Sequence, residues 1–226
     1  MRIIDLTMPI REHFRWGIER EQRGDVAAGD QYQSTRLSMP VHAFTHMDAQ
    51  SHIMAGGPTT DDIPLERVVG DCAVVDLTDV EPNAPIAPER IREAAAHVRK
   101  GDIVVLKTCW EKAQSPMTPE FWTEAPYMTR EGSQLLLEMG IKAIGFDFPQ
   151  DYPIRLLLKG QEKRPFEEHV THDILLRNGV TMIEYLCNTA ALTDVRTFLC
   201  ALPLKVPTAD GAPARVIAIE DLAGQG

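Results

Sequence analysis

The stretch "CAVVDLTDVEPNAPIAPERIREAAAHVRKGDIVVLKTCW", residues 72–110, sets the class of fold. Its ends, "CAVVDLT" (72–78) and "DIVVLKTCW" (102–110), are short apolar runs rich in β-branched residues, as buried strands require. Between them "APERIREAAAHVRKG" carries Pro88 near its start, apolar Ile91, Ala95 and Val98, and Gly101 as a stop, which predicts a helix. Pro-rich "EPNAPIAP" (81–88) connects the two without marking a domain boundary. Strand, helix, strand is the pattern of a mixed α/β protein.

Working outward, similar runs predict strands at 2–7, 34–39, 143–148, 180–186, 196–204 and 214–220. Two further helices are expected, from Thr129 to Gly140 and over "HVTHDILLRNG", whose Asn178-Gly179 suits a left-handed cap. The opening third is poor in helix. Residues 11–33 are polar and Gly-containing yet hold Phe14, Trp16 and Tyr32, so they read either as a surface loop with aromatic anchors or as a flap over a pocket. With 226 residues, 44% of them hydrophobic, and no internal repeat, the chain reads as a single domain over 1–226.

Charge and composition narrow the partners. A net charge of -10 with no Lys/Arg run argues against nucleic acid. No stretch approaches the ~20 apolar residues of a membrane helix. The opening "MRIIDLTMPI" resembles a first strand more than a signal peptide, so the expected location is cytoplasmic. Cys72, Cys109, Cys187 and Cys200 form no CxxC pair, which argues against a disulfide framework or zinc ribbon. They are expected to be buried thiols, with Cys72 and Cys109 in strands.

The chemistry concentrates in "HAFTHMDAQSH", residues 42–52, which holds three of the seven histidines. Imidazole nitrogen and carboxylate oxygen are good ligands for divalent metals. On a helix His42 and His46 would share a face, but Pro40 precedes them and the sequence that follows is helix-poor. An extended or irregular run fits better, with His46 and Asp48 pointing the same way. A general acid/base histidine with a carboxylate partner is compatible with the same residues. Downstream, His169 and His172 are three apart, and Glu184 sits inside apolar "VTMIEYL". A carboxylate buried there needs a partner; on an edge strand it would face solvent. His97 is expected on the surface. No nucleophile elbow, dinucleotide fingerprint or Walker loop occurs.

The run from His42 through Thr45, His46 and Asp48 to His52 resembles HxGTHxDxPxH, the signature of the metal-dependent cyclase family, which includes kynurenine formamidases and isatin hydrolases. "IIDLTMPI", "DDIPLERVVGDCAVVDLT" and "THDILLRNGVTMIEYLCN" resemble other blocks of that family, so the likeness spans about residues 1 to 220. It implies an α/β fold of swivelling β/β/α type, with a central β-barrel-like mixed sheet flanked by helices. It implies that His42, His46 and Asp48 bind a first metal and that His52, His172 and Glu184 complete a second. In one-metal members His52 is free to act as a base. Zinc or manganese, one or two per subunit, is the implied cofactor. A small-molecule substrate and a homodimer or homotetramer are the implied partners, and the resemblance implies that the early loop of one subunit brings Phe14 and Trp16 near its neighbour's pocket. The implied chemistry is hydrolysis of an amide, formamide or lactam, with His52 or Glu184 moving the proton. A lactone hydrolase, a polyketide-type cyclase and a structural metal protein are the competing readings. The chain has Phe44 where the family has Gly and Gln50 where it has Pro, so these two are candidates for shaping substrate choice. "GFDFPQDYPIR" also departs from the formamidase pattern.

Overall fold

All eight strands expected from the apolar runs are present in the computed structural model, which describes residues 1–221. In chain order the strands are β1 (Arg2–Asp5), β2 (Glu19–Gly24), β3 (Ser34–Ser38), β4 (His46–Asp48), β5 (Val69–Asp76), β6 (Pro85–Ile86), β7 (Ile103–Lys107), β8 (Tyr127–Met128), β9 (Ala143–Phe146), β10 (Thr181–Glu184), β11 (Arg196–Pro203) and β12 (Gly211–Glu220). The helices are α1 (Pro88–Ala94), α2 (Trp110–Ala113), α3 (Pro119–Thr123), α4 (Arg130–Glu138) and α5 (Pro153–Leu158).

Seven strands close into a ring in the order β12-β11-β5-β7-β9-β10-β4, and β4 returns to β12. The run β5-β7-β9-β10 is parallel, and the other pairings are antiparallel. Closure uses the length of β12: Gly211–Pro213 pair with β4, while Ile217–Glu220 pair with β1 on the same edge. The expected barrel-like mixed sheet is therefore present, and closing it removes the exposed edges that invite aggregation.

Strand alternation divides the core in two. Met47, Cys72, Val74, Ile103, Val105, Ala143, Ile183, Leu199 and Val216 come from all seven ring strands and form one cluster, the barrel interior. Their neighbours Ala73, Val75, Val104, Leu106, Ile144, Phe146 and Met182 face outward and pack against the helices. Parallel strands covered on both faces read as continuous apolar runs, which is why β5, β7 and β9 were visible in the sequence.

Several local expectations change. α1 stops at Ala94, short of Gly101. The following turns are fixed by side chains: His97 Nε2 lies 3.0 Å from the Val74 carbonyl, and Asp102 accepts the Arg99 amide at 2.7 Å. His97 is thus half-buried and bonded rather than a free surface group. The helix expected over 169–179 is a π-helical turn at His172–Leu176, with the Arg177 amide donating to the His172 carbonyl at 3.0 Å; Gly179 takes the expected left-handed conformation, with φ 82°. Residues 11–33 contribute β2, which pairs with β3 in an exposed hairpin. β7 ends before Cys109, which adopts φ 55° and caps α2. Only Cys72 is fully buried among the four free thiols.

Asp102 also ties β7 to β11. Arg196 donates to its two carboxylate oxygens at 2.8 and 2.9 Å. Burial alone would raise this carboxyl, but the Arg196 fork and the Arg99 amide hold it below the usual carboxylate range. Asp102→Asn is expected to cost about 1–2 kcal/mol, because the guanidinium is partly solvated. A carboxyl depressed by folding stabilises above its unfolded value and stops doing so as pH falls through the folded one. Urea titrations at pH 7 and pH 3 check this: the gap between wild type and variant should shrink at pH 3.

Candidate metal centre

The centre lies on the outer face of the barrel, at the seam of β4 and β10. Because Met47 points into the barrel, its neighbours His46 and Asp48 point out. Antiparallel register sets Glu184 opposite His46, so the Glu184 Oε2 lies 3.6 Å from His46 Nε2. The expectation of an extended run for these residues holds.

Each histidine is aimed by a bond to its other nitrogen. His46 Nδ1–H donates to the Phe44 carbonyl at 2.8 Å, which leaves Nε2 open 3.3 Å from Asp48 Oδ1. That carbonyl is aimed by a left-handed Phe44, with φ 56°. Such a conformation costs roughly 1–2 kcal/mol outside glycine. Burial of the ring offsets it: Phe44 packs 4.7 Å from Trp16 and 5.7 Å from His13. His172 Nδ1 donates to Asp151 Oδ2 at 2.6 Å, and its Nε2 faces Asp48 Oδ2 at 3.5 Å and Glu184 Oε1 at 3.6 Å. Carboxylate or carbonyl behind a histidine is the usual arrangement around a metal. Asp151 also accepts the Thr171 amide and hydroxyl, which anchors the π-helical turn.

His42 lies between two carboxylates, with Nδ1 at 2.8 Å from Asp48 Oδ1 and Nε2 at 2.9 Å from Asp210 Oδ2. Burial would lower its pKa, but Asp48 and Asp210 outweigh that and push it up to about 9. His172 is likewise raised, since Asp151 and Asp48 overcome its burial. Burial opposes ionisation of Asp48, yet His172, His42 and His46 hold it well below the usual carboxylate range. His52 is the half-exposed member at the rim, with its ring 3.9 Å from that of His42 and its Nδ1 3.4 Å from Asp210. Burial, together with the charges of His42 and His172, lowers its pKa despite the pull of Asp48 and Glu184.

Among the described residues three overlapping groups offer donor atoms within 4.8 Å of one another: His42, His46 and Asp48; Asp48, His172 and Glu184; and His42, His52 and Asp210. The six residues expected as ligands are therefore gathered at one place. The grouping differs in one respect, because His52 joins His42 and Asp210, not His172 and Glu184. The residues present fit a divalent cation: the buried Asp48 Oδ2 has no hydrogen-bond partner and faces His172 Nε2 at 3.5 Å, while His42 and His46 lie at its other oxygen.

Of the four residues expected to touch substrate, Gln50 borders a cleft together with Asp48, and none lines the cavity beside His172 and Glu184. Phe44 and Trp16 are buried in the chain's own aromatic cluster. Phe14 is exposed and stacks on His13 at 4.7 Å. Gln50 donates to the Arg177 carbonyl at 3.0 Å and lines a second cleft, which Asp48 also borders. The cavity bordered by His172 and Glu184 is lined instead by Arg15, Gln150, Tyr185 and their neighbours. Gln150 donates its amide to Glu184 Oε1. Sequence spacing does not reveal Asp210 or Asp151, because their partners are 168 and 21 positions away. The one available signal was "FPQD", which broke the formamidase pattern.

Gly211 makes room for His42. A Cβ there would come within 2.5 Å of His42 Cε1 and 2.9 Å of its Nδ1. Gly211→Ala is therefore expected to displace the ring and weaken divalent-metal affinity by about 10–100-fold, as losses around metal ligands typically do. Competition with a chelating dye checks this, with the melting temperature as the control for folding.

Comparisons with known proteins bear on the family and the fold. The family model described as "Putative cyclase" matches residues 4–150, which include the whole His42–His52 run. Kynurenine formamidase of Salinibacter ruber (strain DSM 13855 / M31) is 30% identical over 187 residues, 80% of this chain and 77% of its own. A solved structure described as a potential metal-dependent hydrolase with cyclase activity superposes with a TM-score of 0.71 at 29% identity, over 96% of each chain. Isatin hydrolase A from Labrenzia aggregata, solved with benzyl benzoate, has the same fold, with a TM-score of 0.78 at 24% identity over 96% of this chain and 93% of that one. A family match over residues 4–150, more than half of the sequence and including the histidine run, places this chain in the cyclase family.

Proposed function

We propose that this protein is a metal-dependent hydrolase that cleaves a C–N amide, formamide or lactam bond in a small aromatic molecule. The observation that carries the reading is the buried Asp48 carboxylate, set among three histidines with one oxygen unbonded. The kynurenine formamidase and isatin hydrolase relatives support the bond class. His42, His46 and Asp48 would hold one ion, and His172 and Glu184, sharing Asp48, would hold a second. Zinc or manganese suits this mixed nitrogen and oxygen donor set.

When bound, the ion supplies Lewis acidity toward the scissile carbonyl and lowers the pKa of water. The chain's own residues do the rest. Gln150 holds Glu184 in place, and Asp151 and Phe44 fix the faces that His172 and His46 present. His52 is neutral at pH 7 and reaches solvent, so it takes up the proton of the attacking water and returns it to the leaving nitrogen. Asp210 steadies His52 through Nδ1.

The test is hydrolysis of N-formylkynurenine, isatin and a small lactone by metal-reconstituted and metal-stripped protein. Turnover of an amide or lactam by the loaded form alone supports the reading, and turnover of the lactone alone overturns it. Metal uptake also has a pH signature. His42 is protonated at pH 7 in the metal-free protein, and its bonds to Asp48 and Asp210 contribute stability that fades as pH rises through about 9. A metal must displace that proton, so affinity rises with pH, by up to about tenfold per unit between pH 7 and 9. Chelator competition at pH 7 and 8.5 measures it.

We extend the reading to a homodimer or homotetramer, supported by the exposed hairpin of β2 and β3 with Leu37 on it. Light scattering in solution tests the assembly. Among the described residues no helix is long and apolar enough to cross a membrane. A cytoplasmic location fits that and the substrate class.

A further inference from the structure

A cavity of about 160 Å³ opens beside Glu184 and His172. That is room for one aromatic ring, since an apolar cavity of about 150 Å³ takes up benzene. Pro149, Ile154, Leu157 and Leu158 give it an apolar wall. Arg15, from the loop before β2, supplies a charged one.

Arg15 is held flat by aromatic rings, with its Cζ 4.1 Å from the centre of Trp122, 5.0 Å from Trp16 and 5.8 Å from Tyr185. Its Nη1 is buried and has no hydrogen-bond partner. Arg15 forms no ion pair among the described residues, and the carboxylates bordering the cavity are engaged: Glu184 by Gln150, and Asp151 by Thr171 and His172. An unpaired buried guanidinium nitrogen is costly. The guanidinium shares a side-chain hydrogen bond with Tyr185, and the unpartnered Nη1 is the arm of its fork left open to a carboxylate.

We propose that Arg15 is the specificity-determining residue of this site and binds a carboxylate on an aromatic substrate whose ring fills the cavity. The proposal rests on the hydrolase reading for the identity of the ligand as a substrate. The experiment reads binding without turnover, so the two can fail separately.

Benzoate and its neutral isostere benzamide are titrated into the full-length, metal-loaded protein and followed by calorimetry and by the fluorescence of Trp16 and Trp122. Wild type should bind benzoate at least tenfold more tightly than benzamide. Arg15→Met should erase that preference, and Arg15→Lys, which keeps the charge but loses the fork, should retain part of it. Equal binding of the two ligands by wild type overturns the proposal. So does an undiminished preference in folded Arg15→Met, which would assign the carboxylate to the metal. Should Arg15→Met fail to fold, Arg15→Lys decides: a preference reduced at least threefold supports the fork, and one equal to wild type overturns it. For the link to catalysis, the ratio of kcat/KM between a carboxylated and an uncarboxylated formanilide should fall by the same factor in the variant. An unchanged ratio counts against Arg15 as the specificity determinant.

Discussion

Asp48→Asn is expected to leave the protein folded, largely free of metal, and slower in C–N hydrolysis by a factor on the order of 10³, because the Lewis acid lost is worth several kcal/mol and each 1.4 kcal/mol is tenfold. Asp48 is the residue shared by the two donor groups proposed to hold an ion, so both candidate ions would be held through it. One of its oxygens faces His42 and His46, and the other faces His172. An amide keeps the shape but removes the charge, and it turns two donors toward nitrogens that must themselves stay unprotonated to ligate. Elemental analysis of the purified variant, beside its turnover, measures both effects. A variant with wild-type metal content would mean that the centre is organised around some other residue.

Trp122→Ala is expected to cost about 3–5 kcal/mol of folding stability. Trp122 is fully buried at the junction of the barrel and the early loop. Its ring lies 5.1 Å from Phe121, 5.3 Å from Trp16 and 4.9 Å from Tyr185, and its Nε1 donates to the Pro116 carbonyl at 3.0 Å. Truncation leaves a large void, removes one of the two bonds to the Pro116 carbonyl, the other coming from His13 Nε2 at 2.9 Å, and removes the ring against which Arg15 lies. Natural domains are stable by only about 5–15 kcal/mol, so a large part of the margin goes. Melting should fall by about 10 °C or more for a chain of this size. A loss under about 1 kcal/mol in urea would show that the aromatic cluster is loosely packed.

The barrel strands were legible because strands buried on both faces are apolar throughout, as in β5, β7 and β9. β4 was harder to see as a strand: two of its three residues are His46 and Asp48, whose chemistry hides the pattern. The histidine run was legible as a site, and on the residues alone it fitted either a divalent metal or a general acid/base histidine. Its supports did not show, since Asp210 meets His42 only through closure of the ring and Asp151 meets His172 only where the crossover from β9 to β10 folds back. Phe44 and Gln50, which break the family signature, looked like pocket residues. The left-handed backbone at Phe44 instead serves to aim a carbonyl at His46, and the ring is core. The pocket wall came from "GFDFPQDYPIR", where Gln150 reaches Glu184, and from Arg15 in the loop that read either as a surface loop with aromatic anchors or as a flap over a pocket.

The most direct test of the metal-hydrolase account is turnover of N-formylkynurenine and isatin by wild type and His46→Ala, each measured after chelation and after stoichiometric zinc or manganese. The account predicts that chelated wild type is inactive and recovers on loading, while His46→Ala neither retains metal nor recovers. Full activity in metal-stripped wild type, or metal binding and turnover by His46→Ala equal to wild type, would contradict it.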